Sequence, residues 1–169
     1  SLSDALGTTD VAINRYRLPP GDGLPSGLHS HLDQEEAFVV LEGTLTFETL
    51  SEAVVVDAGE PVRFAPGEYQ TGRNDGDSPA VVLAVGAPKE SEELRVPLSC
   101  PDCDRRGLSP EWEDGEVLLA CPDCAADHRT RGCPECEREE MRVASAGAAG
   151  ETIVVCPDCG AERAEPEWV

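Results

Sequence analysis

Short apolar runs fill the first part of the chain and are separated by Gly, Pro, Asn and Asp. Between residues 10 and 96 no stretch keeps the spacing of an amphipathic helix. The runs predict strands at residues 11–18, 26–31, 37–41, 44–49, 53–56, 61–64 and 80–85. Such regular alternation of short strands and turns predicts an all-β domain over residues 1–90, folded as an antiparallel β-sandwich, barrel or jelly roll.

After residue 97 the apolar runs are fewer, and each leads into a pair of cysteines. Residues 116–120 and 152–155 form these runs, and polar turn residues precede them at 114–115 and 146–150. The pattern predicts two β-hairpin units. We therefore divide the chain into a β-barrel over 1–90, a linker over 91–97 and two small units over 98–127 and 131–169.

All eight cysteines belong to four Cys-Pro-acid-Cys segments. Two thiolates that lie two residues apart on a tight turn can supply half of a tetrahedral metal shell, so four such pairs suffice for two structural zinc sites. The predicted zinc ligands are Cys100, Cys103, Cys121, Cys124, Cys133, Cys136, Cys156 and Cys159.

The spacing of the pairs favours a tandem arrangement. Seventeen residues separate Cys103 from Cys121, nineteen separate Cys136 from Cys156, and only eight separate Cys124 from Cys133. A cross-braced arrangement, in which the first pair shares a metal with the third and the second with the fourth, stays open. The units resemble zinc ribbons over about residues 98–169, and the Cys-Pro-x-Cys-Gly sequence that ends at Gly160 is common in that family.

Two other roles for the cysteines are less favoured. Residues 1–10 carry two acids and no apolar run, so no export signal is visible, and we expect a cytoplasmic protein rather than a secreted disulfide scaffold. A thioredoxin-like redox pair needs a βαβ context, and no such context surrounds these segments.

A second candidate metal site lies in the β-rich part. His29 and His31 are two residues apart, and alternate side chains of a strand project from the same face, so both rings are expected side by side. Glu35 and Glu36 follow within five residues and could add a carboxylate.

In this region the chain resembles the cupin superfamily, over about residues 15–86. The first motif of that family matches Gly23, His29, His31, Glu36 and Gly43, and its spacing selects Glu36 over Glu35. The second motif matches Gly59, the turn at 65–67 and Asn74, but Gln70 stands where the family has its third histidine. The resemblance implies a β-barrel with a metal at its mouth, held by His29, His31 and Glu36.

Gln70 leaves the occupancy of this site open. Its neutral amide is a poor metal donor, so it would either coordinate weakly or orient a bound water or substrate. Two histidines and one carboxylate suit a first-row divalent metal such as Fe, Mn, Ni or Zn. The alternative is a vacant cupin site in which the histidines only fill the barrel mouth.

The chain is strongly acidic along its whole length. It has 34 Asp and Glu against 13 Lys and Arg, a formal net charge of -21, and both halves share the excess. Concentrated salt screens such self-repulsion, so the composition resembles that of haloarchaeal proteins and predicts a halophilic protein. The charge weighs against phosphate-mediated binding of nucleic acid, and no run is long and apolar enough to span a membrane.

Three further side chains carry expectations. His128 lies between the two units and is expected to be a solvated linker residue rather than a ligand. Trp112 and Trp168 are expected to cover the zinc sites of their own units.

Two functions remain open from the sequence. The first is a binding or regulatory module, with a small molecule or metal at the cupin site and a protein partner on the ribbons. The alternative is a small metal-dependent cupin enzyme, an oxygenase or isomerase, acting on an unknown small molecule. Exposed edge strands would also allow such a sandwich to form a homodimer.

Overall fold

The computed structural model describes residues 1–113, 116–139, 141–146 and 151–169, and it is built almost entirely of β-strands. One short helix, α1, spans Ser3–Leu6. The strands are β1 (Ala12–Leu18), β2 (Ser30–His31), β3 (Glu35–Glu42), β4 (Thr44–Glu48), β5 (Ala53–Asp57), β6 (Pro61–Phe64), β7 (Thr71–Arg73), β8 (Ala80–Ala87), β9 (Leu94–Ser99), β10 (Arg106–Glu113), β11 (Glu116–Ala120), β12 (Asp127–His128), β13 (Arg142–Ser145), β14 (Thr152–Val155) and β15 (Glu162–Arg163). The predicted turn residues 114–115 and 147–150 lie outside the described residues. Within the described ranges no helix has the length and apolarity needed to cross a membrane.

The N-terminal part is a sandwich of two antiparallel sheets, in the orders β1-β8-β3-β6 and β5-β4-β7. The predicted all-β fold is confirmed. β8 is almost continuously apolar because it lies in the interior of its sheet, between β1 and β3. The core between the sheets is made of Leu18, Leu24, Phe38, Val40, Leu45, Phe47, Val56, Phe64, Ala80, Val82 and Ala84.

Three phenylalanines form the centre of this core. The ring centroid of Phe47 lies 4.9 Å from that of Phe38 and 5.7 Å from that of Phe64. β7, which the apolar pattern did not predict, passes beside them at Gly72. A Cβ at Gly72 would lie 2.9 Å from both Leu24 and Phe47, so only glycine fits this position without movement of the core.

A five-stranded sheet joins the first cysteine unit to the sandwich. Its order is β12-β11-β10-β9-β2, and His31 of β2 pairs with Leu94 of β9. Residues 94–97 therefore belong to a strand, whereas the sequence predicted a linker over 91–97. The reason is that the backbone groups of β2 find their hydrogen-bond partners on β9.

The second cysteine unit is the sheet β13-β14-β15, and it contacts the sandwich as well. The backbone N–H of Leu28 donates to the carbonyl of Val143 in β13, at 2.8 Å. The two units share a small core that contains Leu98, Leu108, Leu119, Val154, Cys100 and Cys121. Both units therefore pack around the segments that carry His29 and His31.

Candidate metal centres

His29 is held in place by backbone pairing and by a hydrogen bond of its ring. Its backbone pairs with that of Gln70 through two hydrogen bonds, of 3.2 and 2.8 Å. The ring is 8% exposed, and its Nδ1 lies 2.8 Å from the carbonyl oxygen of Gly27. A carbonyl only accepts, so Nδ1 carries the proton and Nε2 is left with a free lone pair.

His31 is oriented by a chain of two hydrogen bonds. Its Nδ1 lies 2.8 Å from Ser91 Oγ, and Ser91 Oγ donates to Asp33 Oδ1 at 2.6 Å. Because the hydroxyl proton of Ser91 points to Asp33, its oxygen accepts from Nδ1–H of His31. The Nε2 atom of His31 is therefore also unprotonated and has a free lone pair, as a metal-binding histidine requires.

Glu36 brings a carboxylate to these two nitrogens from the facing sheet. It lies in β3, and its Oε2 is 3.9 Å from Nε2 of His29 and 3.8 Å from Nε2 of His31. All three donor atoms lie within 4.8 Å of one another. Neighbouring donors around a bound first-row metal are separated by about 3 to 3.5 Å, so a shift of under an ångström would close the set around an ion.

The protonation states also suit a metal. Burial lowers the pKa of both histidines, to about 4 for His31, where the nearby His29 adds to the effect. Both rings are therefore neutral near pH 7, which is the form that binds metals. Burial raises the pKa of Glu36, and the hydrogen bond from Gln70 opposes that shift. Two neutral imidazoles and one carboxylate fit a divalent first-row ion.

The side chain of Gln70 is hydrogen-bonded to Glu36. Its Nε2 donates to Glu36 Oε2 at 2.7 Å, and the residue is 2% exposed. The Oε1 atom of Gln70 is buried and finds no hydrogen-bond partner among the described residues. The sequence could not reveal this contact, because Gln70 and Glu36 are 34 residues apart and Gln70 pairs with His29 rather than with β3. The side chain thus orients the carboxylate of Glu36.

A pocket of about 290 Å³ opens beside the three donors. Its floor is a cross-strand row in which Ala12, Gly86 and Glu36 stand side by side on β1, β8 and β3. Gly86 makes room in this row for the side-chain amide of Gln34, since an added Cβ would lie 2.8 Å from it. The lining residues are Ala12, Asn14, Tyr16, Leu24, Pro25, Ser26, His29, His31, Gln34, Glu36, Phe38, Gln70, Ala84, Gly86, Lys89 and Ser91.

Two further residues of the cupin motifs, Asn74 and Gly43, have structural positions. Asn74 is fully buried, and its Nδ2 donates to the carbonyls of Leu18 and Ser78, both at 2.9 Å. Gly43 has a φ of +74° between β3 and β4, a conformation that L side chains avoid. Both residues shape turns and do not line the pocket.

The eight cysteines form two clusters of four, in the tandem grouping. In the first cluster Sγ of Cys100 is 3.7 Å from that of Cys124, and Sγ of Cys103 is 3.6 Å from that of Cys121. The second cluster joins Cys133 with Cys159 and Cys136 with Cys156, both at 3.5 Å. These separations are close to the about 3.8 Å expected around tetrahedral zinc, and no cross-braced grouping occurs among the described residues.

The four cysteine turns share one backbone geometry. In each, the N–H of the fourth residue after the first cysteine donates to the carbonyl of that cysteine, at 2.8 to 3.0 Å. The donating residues have a positive φ, and they are Asp104, Ala125, Glu137 and Gly160. Backbone N–H groups also point at the sulfurs. The backbone N–H of Cys124 is the largest of the causes that lower the pKa of the Cys121 thiol to about 7. In the same way, the backbone N–H of Cys159 is the largest of the causes that lower the pKa of the Cys156 thiol to about 6.

His128 is not the solvated linker residue that the sequence predicted. It lies half-buried in β12, and its Nε2 is 3.3 Å from Sγ of Cys100. Its ring meets that of Trp168 edge-on, with centroids 5.5 Å apart. The pairing of β12 with β11 brings the residue to the first cluster, and no spacing rule signals that contact.

The expectation for the two tryptophans is also corrected. Trp112 is 68% exposed, so it does not cover the first cluster. Trp168 packs against the core shared by the two units, next to His128 of the first unit rather than over its own cluster. The C-terminal segment folds back because Thr130 and Trp168 form a β-bridge.

A jelly-roll sandwich with two histidines and a glutamate at its mouth defines a class of metal-binding β-barrel proteins. Comparison with known families agrees, since residues 14–86 match the model of the cupin domain. This part of the chain is a cupin domain. No curated protein matches the chain.

Three solved structures are similar to the chain, and two of them are described as cupins. A sugar phosphate isomerase of the cupin superfamily from Silicibacter pomeroyi is 26% identical with a TM-score of 0.53, over 73% of this chain and 75% of that chain. A candidate sugar phosphate isomerase from Acidithiobacillus ferrooxidans is 26% identical with a TM-score of 0.54, over 71% and 72%. A cupin protein from Bacteroides fragilis is 30% identical with a TM-score of 0.48, over 52% and 73%.

Proposed function

We propose that this protein holds a first-row divalent metal through His29, His31 and Glu36 and binds a small polar molecule in the adjoining pocket. The observation that carries the proposal is the convergence of two free Nε2 atoms and one carboxylate, each oriented by a second residue. Hydrogen bonds of this kind, which orient a donor side chain from outside the metal shell, are typical of metal-binding residues, and a site without metal does not need them. When bound, the metal would supply a Lewis acid at the base of the pocket.

The chain's own residues define what the pocket can do. Gly27 and Ser91 fix the two rings, and Gln70 fixes the carboxylate, so the donors need little rearrangement to bind an ion. Burial keeps both histidines neutral, which removes competition from protons near pH 7. Asn14, Gln34 and Gln70 line the pocket with polar groups, which favours a bound molecule that can form hydrogen bonds.

The cysteine clusters are proposed to be structural zinc sites. Four thiolates close the coordination shell, so neither ion offers a position to a substrate. Their role in this proposal is to hold β9 and β13 against the cupin domain. An exposed ribbon surface, including Trp112, remains available to a protein partner. The acidic composition supports a protein that works in a concentrated-salt cytosol.

Metal titration of full-length protein tests the proposal. Protein stripped of the weakly held metal should bind one Mn(II) or Fe(II) per chain, and Glu36→Ala should abolish this binding while both zinc ions remain. Glu35→Ala is the matched control, because Glu35 is its neighbour but pairs with Arg63 outside the pocket. Equal metal binding by wild type and Glu36→Ala would contradict the assignment.

A second candidate function is metal-dependent isomerisation of a small molecule. It is favoured by the two neighbours with TM-scores of 0.53 and 0.54, both described as sugar phosphate isomerases, one of them as a candidate. Incubation of metal-loaded protein with aldose and ketose phosphates, followed by NMR of the sugar carbons, tests this directly. An oxygenase, the other enzyme class compatible with these ligands, would instead consume oxygen when loaded with Fe(II).

A further inference from the structure

Lys89 is the only lysine of the chain, and it lines the pocket. It lies two residues after the end of β8 and is half-buried. No arginine lines the pocket. Among the lining residues Lys89 is therefore the one fixed positive charge, as Glu36 is the one carboxylate.

The ammonium group of Lys89 is left without an acidic partner. Its Nζ donates to the carbonyl oxygen of Thr8 at 2.9 Å, which uses one of three N–H donors. No carboxylate of the described residues lies within ion-pair distance of it, although the chain has 34 acids and Arg63, Arg73, Arg95, Arg105, Arg129, Arg138 and Arg163 are all paired. Two donors of a half-buried ammonium are thus free for a guest.

With a divalent metal bound, the pocket would carry a net positive charge, whereas the chain as a whole is strongly negative. A divalent ion with one carboxylate and two neutral imidazoles leaves one positive charge, and Lys89 adds a second. The whole chain has a formal net charge of -21, so a metal-loaded pocket would be a local positive site on an acidic protein. Burial, and then the charge of Glu36, raise the pKa of Tyr16, so its hydroxyl stays protonated and can donate.

We propose that the pocket selects small organic anions, whose carboxylate or phosphate group is bound by Lys89 Nζ. This inference rests on the proposed metal site and adds the class of guest to it. Charge-assisted hydrogen bonds between an ammonium and an oxyanion are stronger than neutral ones, which makes Lys89 the main determinant of selectivity in the pocket.

The test uses Mn(II)-loaded full-length protein at one fixed chloride concentration, with inorganic phosphate and acetate as probes. The relaxation of phosphate ³¹P and of acetate ¹³C reports binding near the paramagnetic ion. Lys89→Gln should weaken the binding of the preferred probe about tenfold or more, by the strength of a charge-assisted hydrogen bond, and Lys89→Arg should retain most of it. Binding of phosphate alone, of acetate alone or of both identifies the anionic group.

Arg15→Gln is the matched control for net charge. Arg15 lies on β1 between Asn14 and Tyr16, which line the pocket, and is exposed on the opposite face. The Arg15→Gln variant should bind phosphate and acetate as tightly as the wild type does. If Mn(II) binds but neither probe does, or if Lys89→Gln binds them as well as the wild type, the inference about Lys89 is wrong while the metal site stands. If the wild type takes up no Mn(II), the proposed function fails and this inference fails with it.

Discussion

Gln70 stands where the cupin resemblance leads one to expect a histidine, and its contacts explain how the site tolerates the replacement. Its amide donates to Glu36, a carboxylate that would otherwise turn freely inside a buried pocket. The residue therefore holds in place one of the three side chains proposed to bind a metal. Its Oε1 is buried and has no hydrogen-bond partner among the described residues.

Replacing this amide should weaken metal binding without unfolding the protein. Gln70→Ala removes the hydrogen bond that holds Glu36, and loss of such a supporting partner typically costs about 10- to 100-fold in metal affinity. We expect that loss for Mn(II) in a competition titration, with both zinc ions retained. An affinity equal to that of the wild type would contradict the positioning role of Gln70.

At the scale of single elements, the four cysteine turns offer an internal comparison. Three of them place a residue with a side chain in the left-handed conformation, and only the last uses glycine, at Gly160. A left-handed conformation costs an L-residue roughly 1–2 kcal/mol, and glycine avoids this cost but loses more entropy on folding.

Glycine should therefore stabilise the turns that lack it. Glu137→Gly relieves a φ of 61° at an exposed position and should raise the free energy of unfolding by about 0.5–1 kcal/mol. Gly160→Ala, the reciprocal change in the second turn of the same unit, should lower it by a similar amount. Thermal unfolding of both variants in the presence of zinc measures the difference. Destabilisation by Glu137→Gly would show that its side chain contributes more than the strain costs.

The strands of the ribbons reach the cupin site through short connections. β9 pairs with β2 at His31, and the carbonyl of Val143 in β13 accepts from Leu28, the residue before His29. Gly27, whose carbonyl fixes the ring of His29, lies so close that an added Cβ would be 3.1 Å from Val143 O. The two cysteine units thus form part of the wall behind the two histidines.

Loss of the second zinc should therefore weaken the cupin metal site. Cys156→Ser removes a buried thiolate of the second cluster and should loosen β13, and we expect several-fold weaker Mn(II) binding at the cupin site. Asp158→Asn is the control, since it changes the same turn but keeps all four sulfurs. Unchanged Mn(II) affinity in Cys156→Ser would mean that the domains do not support one another in this way.

These elements also mark how far the sequence could predict the fold. The strands of the sandwich and the His-x-His pair follow from alternation along the chain, which is a local property. The pairing of β2 with β9 and the contact of His31 with Ser91 join residues 60 or more positions apart and depend on backbone groups and a single hydroxyl. His128 was misjudged for the same reason, because its approach to Cys100 is produced by strand pairing alone.

At the scale of the whole molecule, a net charge of -21 acts on stability through the solvent. The Debye length falls from about 10 Å at 0.1 M salt to about 3 Å at 1 M, so repulsion between exposed carboxylates fades in concentrated salt. The compact state gains more from this screening than the unfolded chain does.

The melting temperature should therefore rise as potassium chloride increases from 0.1 to about 2 M. Changing the exposed acids Glu42, Glu90 and Glu165 to glutamine should raise the melting temperature in low salt and flatten its salt dependence. Differential scanning fluorimetry of both proteins checks this. A melting temperature that is independent of salt would contradict adaptation to a saline cytosol.

The central claim concerns a third metal, bound by His29, His31 and Glu36 beside two zinc ions in the cysteine clusters. Anomalous diffraction from crystals of Mn(II)-loaded protein, with data at the zinc and manganese edges, tests it most directly. We expect two zinc peaks among the sulfurs and one manganese peak about 2.0–2.3 Å from His29 Nε2, His31 Nε2 and Glu36 Oε2. Two zinc peaks with no manganese peak between these three side chains would contradict it.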